Sequence, residues 1–88
     1  MSPPVCITVL RTGGFGGLTR RASLETDDER LVEAARTALD ESRTVPPIGV
    51  PDGFQYEIML GERSGYCADP RLTDTQRHVI SQVLNEGA

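Results

Sequence analysis

Twice along this chain the spacing of apolar residues switches from every second position to every third or fourth, and that double switch constrains the fold most. Val5, Ile7 and Val9 alternate with Cys6, Thr8 and Leu10, a period of two that places β-branched side chains on one face of a strand. Leu18, Ala22 and Leu24 interleave with Thr19, Arg21 and Ser23 as its hairpin partner. Leu31, Ala34, Ala35, Ala38 and Leu39 then recur at helical spacing, which predicts a helix from about Asp27 to Glu41. Its start, Thr26-Asp27-Asp28-Glu29, reads as a capping box with acidic groups at the positive end of the helix dipole.

The same order then repeats. Phe54, Tyr56, Ile58 and Leu60 alternate with Gln55, Glu57 and Met59, the clearest strand in the sequence. Gly61 to Gly65 predicts a turn, and Tyr66 to Asp69 a short fourth strand stopped by Pro70. Thr73-Asp74-Thr75-Gln76 is a second capping-box pattern, Val79, Ile80, Val83 and Leu84 form an apolar face, and Asn85-Glu86-Gly87 supplies a stop. The expected fold is α+β, order ββαββα: a four-stranded antiparallel sheet with both helices on one face. The two halves share element order but no sequence repeat.

Length and charge narrow the function. With 88 residues, 1–88 reads as one domain, and a domain of this size buries only about 60 to 65% of its unfolded surface, little room for a deep catalytic apparatus. No apolar run reaches the roughly 20 residues of a spanning helix. Met1-Ser2-Pro3-Pro4 has no signal-peptide pattern, so the expectation is the cytoplasm, away from membranes; a monomer is expected besides. A net charge of -4, from 13 acidic and 9 basic residues, opposes nucleic-acid binding. Every basic side chain is Arg, which with many Ala, Gly and Pro fits a GC-rich bacterial genome.

No catalytic, metal or cofactor constellation emerges. Cys6 and Cys67 read as two buried reduced thiols, pairable only if the first and last strands are neighbours. His78, the single histidine, falls beside Asp74 in the second helix and reads as solvated or ion-paired. Ser23, Ser42, Ser64 and Ser81 lack a His/Asp partner set, and Asp27, Asp28 and Glu29 are accounted for by capping.

Two irregular segments remain. Arg11-Thr12-Gly13-Gly14-Phe15-Gly16-Gly17-Leu18 holds four of the nine glycines around a phenylalanine. A phosphate-binding loop would hand its glycines to a helix, whereas this one leads into a strand. An RNA-recognition strand motif would need another element order and a basic surface. Thr44 to Gly53 carries three prolines and two glycines, and so predicts a stiff extended loop presenting Val45, Ile48 and Val50. Each loop has a structural alternative, folded back on its own domain, but Gly and Pro also pre-organise a loop for docking.

These residues resemble a known family. VCITVLRTGGFGGLTRR, the capped helix, PDGFQYEIML and LTDTQRHVISQVL together are similar to emfourin-type proteins, small bacterial inhibitors of thermolysin-like zinc metalloproteases. Their R-x-G-G-F-x-G signature is matched by Arg11, Gly13, Gly14, Phe15 and Gly17, and the resemblance covers nearly the whole chain. It implies an inhibitor that is no enzyme and needs no cofactor, its partner a thermolysin-like metalloprotease often encoded beside it. The expected wedge pairs Gly13, Gly14, Phe15, Gly16, Gly17 and Leu18 with Ile48, Gly49, Val50 and Asp52. Phe15 or Leu18 would meet apolar subsites with Ile48 and Val50, while the glycines allow close backbone approach. Asp52 is expected to cap the turn before Gly53, with the protease metal or an active-site Arg as its other destination. The alternative is a non-enzymatic interaction or regulatory module that uses its helix faces.

Overall fold

The register of the first strand decides where everything else sits. In a computed structural model, which describes residues 3–13, 19–45, 53–69 and 71–88, the elements run β1 (Val5–Gly13), β2 (Arg20–Thr26), α1 (Glu29–Asp40), β3 (Phe54–Leu60), β4 (Arg63–Ala68) and α2 (Asp74–Glu86). The sheet is antiparallel throughout, in the order β2-β1-β3-β4. Ile7 pairs with Leu24 on one side and Leu60 on the other, and Val9 with Ala22 and Ile58, so the odd positions of β1 share one face with the even positions of β3. Both helices pack on that face, α1 over β3 and β4 and α2 over β2 and β1.

Alternation and helical spacing thus meet in one core. Ile7, Val9, Ile58, Ala35, Ala38, Val79 and Val83 are fully buried, with Leu31, Leu39, Ile80 and Leu84 nearly so. The expected apolar faces of both helices hold, except that Ala34 is half-buried at the margin. One polar side chain joins them. Gln76 is 2% exposed and accounts for its amide fully: Oε1 accepts from the Thr73 backbone N–H, and Nε2 donates to the Ala38 carbonyl and Ser42 Oγ. Since Thr73 Oγ1 accepts from the Gln76 N–H in return, the second capping box forms and also ties the start of α2 to the end of α1.

Several boundaries differ from the expectation, each for a physical reason. At α1 the cap is Asp28, whose Oδ1 accepts from the Arg30 N–H, while Thr26 Oγ1 accepts from the Asp28 N–H in a turn before it. The helix therefore starts two residues later than predicted. β1 runs on through Arg11, Thr12 and Gly13 because they pair with Tyr56, Gln55 and Phe54 of β3. β4 begins at Arg63, and Gly65 is a strand residue rather than part of the turn. A Cβ there would lie 2.6 Å from the Ser42 Cβ and 3.2 Å from Leu39 Cδ2, so the glycine lets the end of α1 rest directly on β4.

Both sheet edges carry a short backbone cover. Arg43 exchanges two hydrogen bonds with Tyr66 on β4, at 2.9 and 2.8 Å, and Ala88 exchanges two with Ser23 on β2, at 3.1 and 3.0 Å. An unpaired edge is a template for another strand, and these contacts occupy part of each. The cysteine expectation is corrected in part. Cys67 is buried, but Cys6 lies on the helix-free face and is exposed, and both are free. They cannot pair, because β3 lies between β1, which carries Cys6, and β4, which carries Cys67, and Cys67 lies opposite Tyr56, itself opposite Arg11 rather than Cys6.

Candidate functional site

β1 and β3 extend beyond the helix-covered core, and their ends build the region where the Gly-rich and Pro-rich segments attach. Gly13 pairs with Phe54, so Gly13, the last residue of β1, lies beside Gly53, which leads into β3. Both glycines have positive φ, +105° and +125°, a conformation that a side chain disfavours. Close approach adds a second requirement at Gly13, where a Cβ would sit 2.7 Å from the Gly53 carbonyl oxygen. The segment that follows Gly13 and the segment that precedes Gly53 are therefore rooted at adjacent points of one sheet end.

Side chains fill the space beneath those roots. Arg11 is in phase with Ile7 and Val9, and its guanidinium carbon lies 4.5 Å from the centre of the Phe54 ring. Phe54 and Tyr56 follow in turn, their ring centres 6.4 Å apart and inclined at 55°. Since Arg11 is directly opposite Tyr56, its contact with Phe54 is the diagonal cross-strand one. The Arg11 Nε is buried and has no acceptor among the described residues. Arg20, opposite Arg11 on β2 and on the same face, reaches to α2 and donates to the Leu84 carbonyl at 2.6 Å, closing its last turn.

Burial sets the electrostatics here. It raises the Tyr56 hydroxyl above its ordinary 10.0, with the Asp69 carboxylate adding to the rise and the Arg11 charge opposing it. Burial likewise pushes the Cys67 thiol up to about 11, again with a contribution from Asp69, while the Ser42 hydroxyl works against it. Both groups are therefore protonated at neutral pH. A buried thiol held in that form is no nucleophile.

Other candidates are placed in structural roles or in solvent. Ser42 Oγ donates to the Ala38 carbonyl at 2.6 Å, Ser23 bonds the Thr8 hydroxyl at 2.9 Å, and Ser64 and Ser81 are exposed. His78 is exposed, on the wall of a 520 Å³ cleft between the start of α1 and α2; Asp74 faces Arg77 at 3.9 Å. No group of three or more potential metal-ligating side chains occurs among the described residues.

Of the ten residues expected to bind a protease, Gly13 is described and sits at the sheet end. Gly14, Phe15, Gly16, Gly17, Leu18, Ile48, Gly49, Val50 and Asp52 lie outside the described residues. Val45, at the start of the second segment, is 64% exposed, unlike any other large apolar side chain among those described. Sequence reasoning did not assign Gly53, Phe54 or the Arg11 guanidinium to this site. Parity was the available signal: Arg11 is two residues beyond Val9, and Phe54 two before Tyr56, on strands that share a face.

Comparison with known proteins adds little. No family model matches the chain, and no solved structure does. The human mitochondrial threonine–tRNA ligase is 34% identical over 83 residues, an alignment that covers 85% of this chain and 11% of the ligase. The chain thus spans about a tenth of the length of that curated relative.

Proposed function

We propose that this protein is a non-enzymatic inhibitor of a thermolysin-like zinc metalloprotease, acting through the loops attached at Gly13 and Gly53. The observation that carries the reading is the contact of those two glycines. It supports a design in which two apolar-bearing segments are rooted side by side on a rigid sheet, so that little ordering entropy is lost on docking. The emfourin-like R-x-G-G-F-x-G segment begins on the same strand end, from Arg11 to Gly17. Exposed Val45 is consistent with an apolar contact at the start of the second segment.

In this reading Phe15 or Leu18, with Ile48 and Val50, cover apolar subsites of the cleft. Gly14, Gly16, Gly17 and Gly49 let the backbone approach the enzyme. The test is titration of purified protein into a panel of thermolysin-like metalloproteases, including any encoded beside it. Inhibition at micromolar concentration is expected, and it disappears when Gly14 and Phe15 are replaced together while the circular dichroism spectrum is unchanged. Full protease activity across the panel would sink the reading. A module working through its helix faces would be indifferent to the double replacement.

A further inference from the structure

We infer that Arg11 and Phe54 form a brace that fixes the relative tilt of the two segment roots, which makes Arg11 a positioning residue for both segments. The inference rests on the inhibitor reading only for its consequence on a protease; the brace itself is a property of the sheet end.

The geometry leaves Arg11 few other roles. It lies two residues before Gly13, on the strand that carries the first segment, and Phe54 directly follows Gly53, the root of the second. The guanidinium covers the Phe54 ring, so the contact spans the two strands diagonally at the point where both chains leave the sheet. Among the described residues its Nε is buried without an acceptor, and Arg11 forms no ion pair with a carboxylate. Among the described residues, stacking on the ring is the contact that orients the side chain. A planar guanidinium does this and an ammonium does it poorly, since a flat cation matches a flat ring over its whole area. The β1–β3 ladder, which pairs Gly13 with Phe54, and the Gly13–Gly53 backbone approach set how near the two roots come; among the described residues the Arg11–Phe54 contact is the side-chain link that holds their relative tilt.

A double-mutant cycle read by amide hydrogen exchange tests the brace without a protease. Arg11→Met and Phe54→Leu keep most of the volume and each remove one half of the contact. Each is expected to speed exchange of residues 11–13 and 54–56 by about two- to fivefold, the scale of a partly exposed cation–ring contact. Exchange around Ile7, Val9 and Ile58 stays the same. The double variant is expected to be no worse than either single one, Phe54→Tyr to match the wild type, and Arg11→Lys to fall on the impaired side. Additive effects, or unchanged exchange at both strand ends in Arg11→Met, would overturn the brace. Inhibition measured on the same proteins should follow exchange: weakened in both single variants, restored in Phe54→Tyr. If Arg11→Met loses inhibition while Phe54→Leu keeps it, Arg11 touches the target directly and the positioning role is wrong. A wild type that inhibits no protease removes the inhibitor reading, and the exchange cycle still decides the brace.

Discussion

The helix-covered middle of the sheet and the end that carries Gly13 and Gly53 are built from the same two strands by different means. In the middle, Ile7, Val9 and Ile58 are fully buried under both helices, held by apolar area and close packing, which no single hydrogen bond controls. At the end, two positive-φ glycines touch through backbone, and a half-buried Arg lies on a half-buried ring. Stability is thus concentrated in one region and loop placement in the other. Substitutions should separate the two.

Ile58→Ala should have the largest effect. It removes three carbons from the centre of the core, and a fully buried Ile→Ala change costs about 2 to 5 kcal/mol. Chemical denaturation should show that loss, while the fraction still folded inhibits as the wild type does. A selective change in exchange at residues 11–13 would mean that the two regions are not separate.

Gly13→Ala should cost less stability and more function. The positive φ and the 2.7 Å approach to the Gly53 oxygen together impose strain of about 1 to 3 kcal/mol, which the strand end relieves by opening. Inhibition is expected to fall at least roughly tenfold, the equivalent of about 1.4 kcal/mol. Gly61→Ala is the control: its φ is also positive, +60°, but nothing lies within 4 Å of the added Cβ, so about 1 kcal/mol is lost and inhibition is kept. Equal loss of inhibition in both would show that only global stability matters.

Thr73→Ala comes next, at about 1 kcal/mol, because it removes the acceptor for the Gln76 N–H at the start of α2. Its effect should appear as a lower melting temperature with no change in exchange at the loop roots.

The same division governs what was legible in the sequence. Alternation at Val5 to Val9 and Phe54 to Leu60, and helical spacing at Leu31 to Leu39 and Val79 to Leu84, report which side chains meet an apolar surface, so element order and core could be read directly. Strand limits could not. Arg11, Thr12 and Gly13 look like a turn until β3 is known to pair with them, and Gly65 looks like a turn residue until the end of α1 is known to rest on it. Thr26 and Asp28 both fit a helix cap, and only the backbone path chose Asp28. The site shares this dependence. The motif marked Gly13 as notable, but its contact with Gly53, and that of Arg11 with Phe54, join residues some forty positions apart and follow from register alone.

The smallest effect, absent at neutral pH, lies where the two regions meet. Cys67 is opposite Tyr56 on the core face and is raised from 9.0 to about 11, first by burial and then by the charge of Asp69. Its folded form therefore prefers the neutral thiol. The stability this contributes is fully present below about pH 9, where the unfolded thiol is also protonated, and is lost progressively as pH rises through about 11. Tyr56, raised above 10.0 by burial and Asp69, adds a loss of the same sign at the alkaline end of that window. Denaturation midpoints should be flat from neutral pH to about 9 and then fall. In Cys67→Ala the baseline is lower, because a core side chain is truncated, but the part of the alkaline fall that belongs to the thiol disappears; in Asp69→Asn the fall begins at the same pH but is smaller and ends sooner, because the folded thiol loses part of its upward shift. Iodoacetamide at neutral pH should modify exposed Cys6 and leave Cys67 unmodified until the chain unfolds. Prompt modification of Cys67 in the folded protein would mean that the end that carries Gly13 and Gly53 opens far enough to expose the core beneath it, and the division between the two regions would fail.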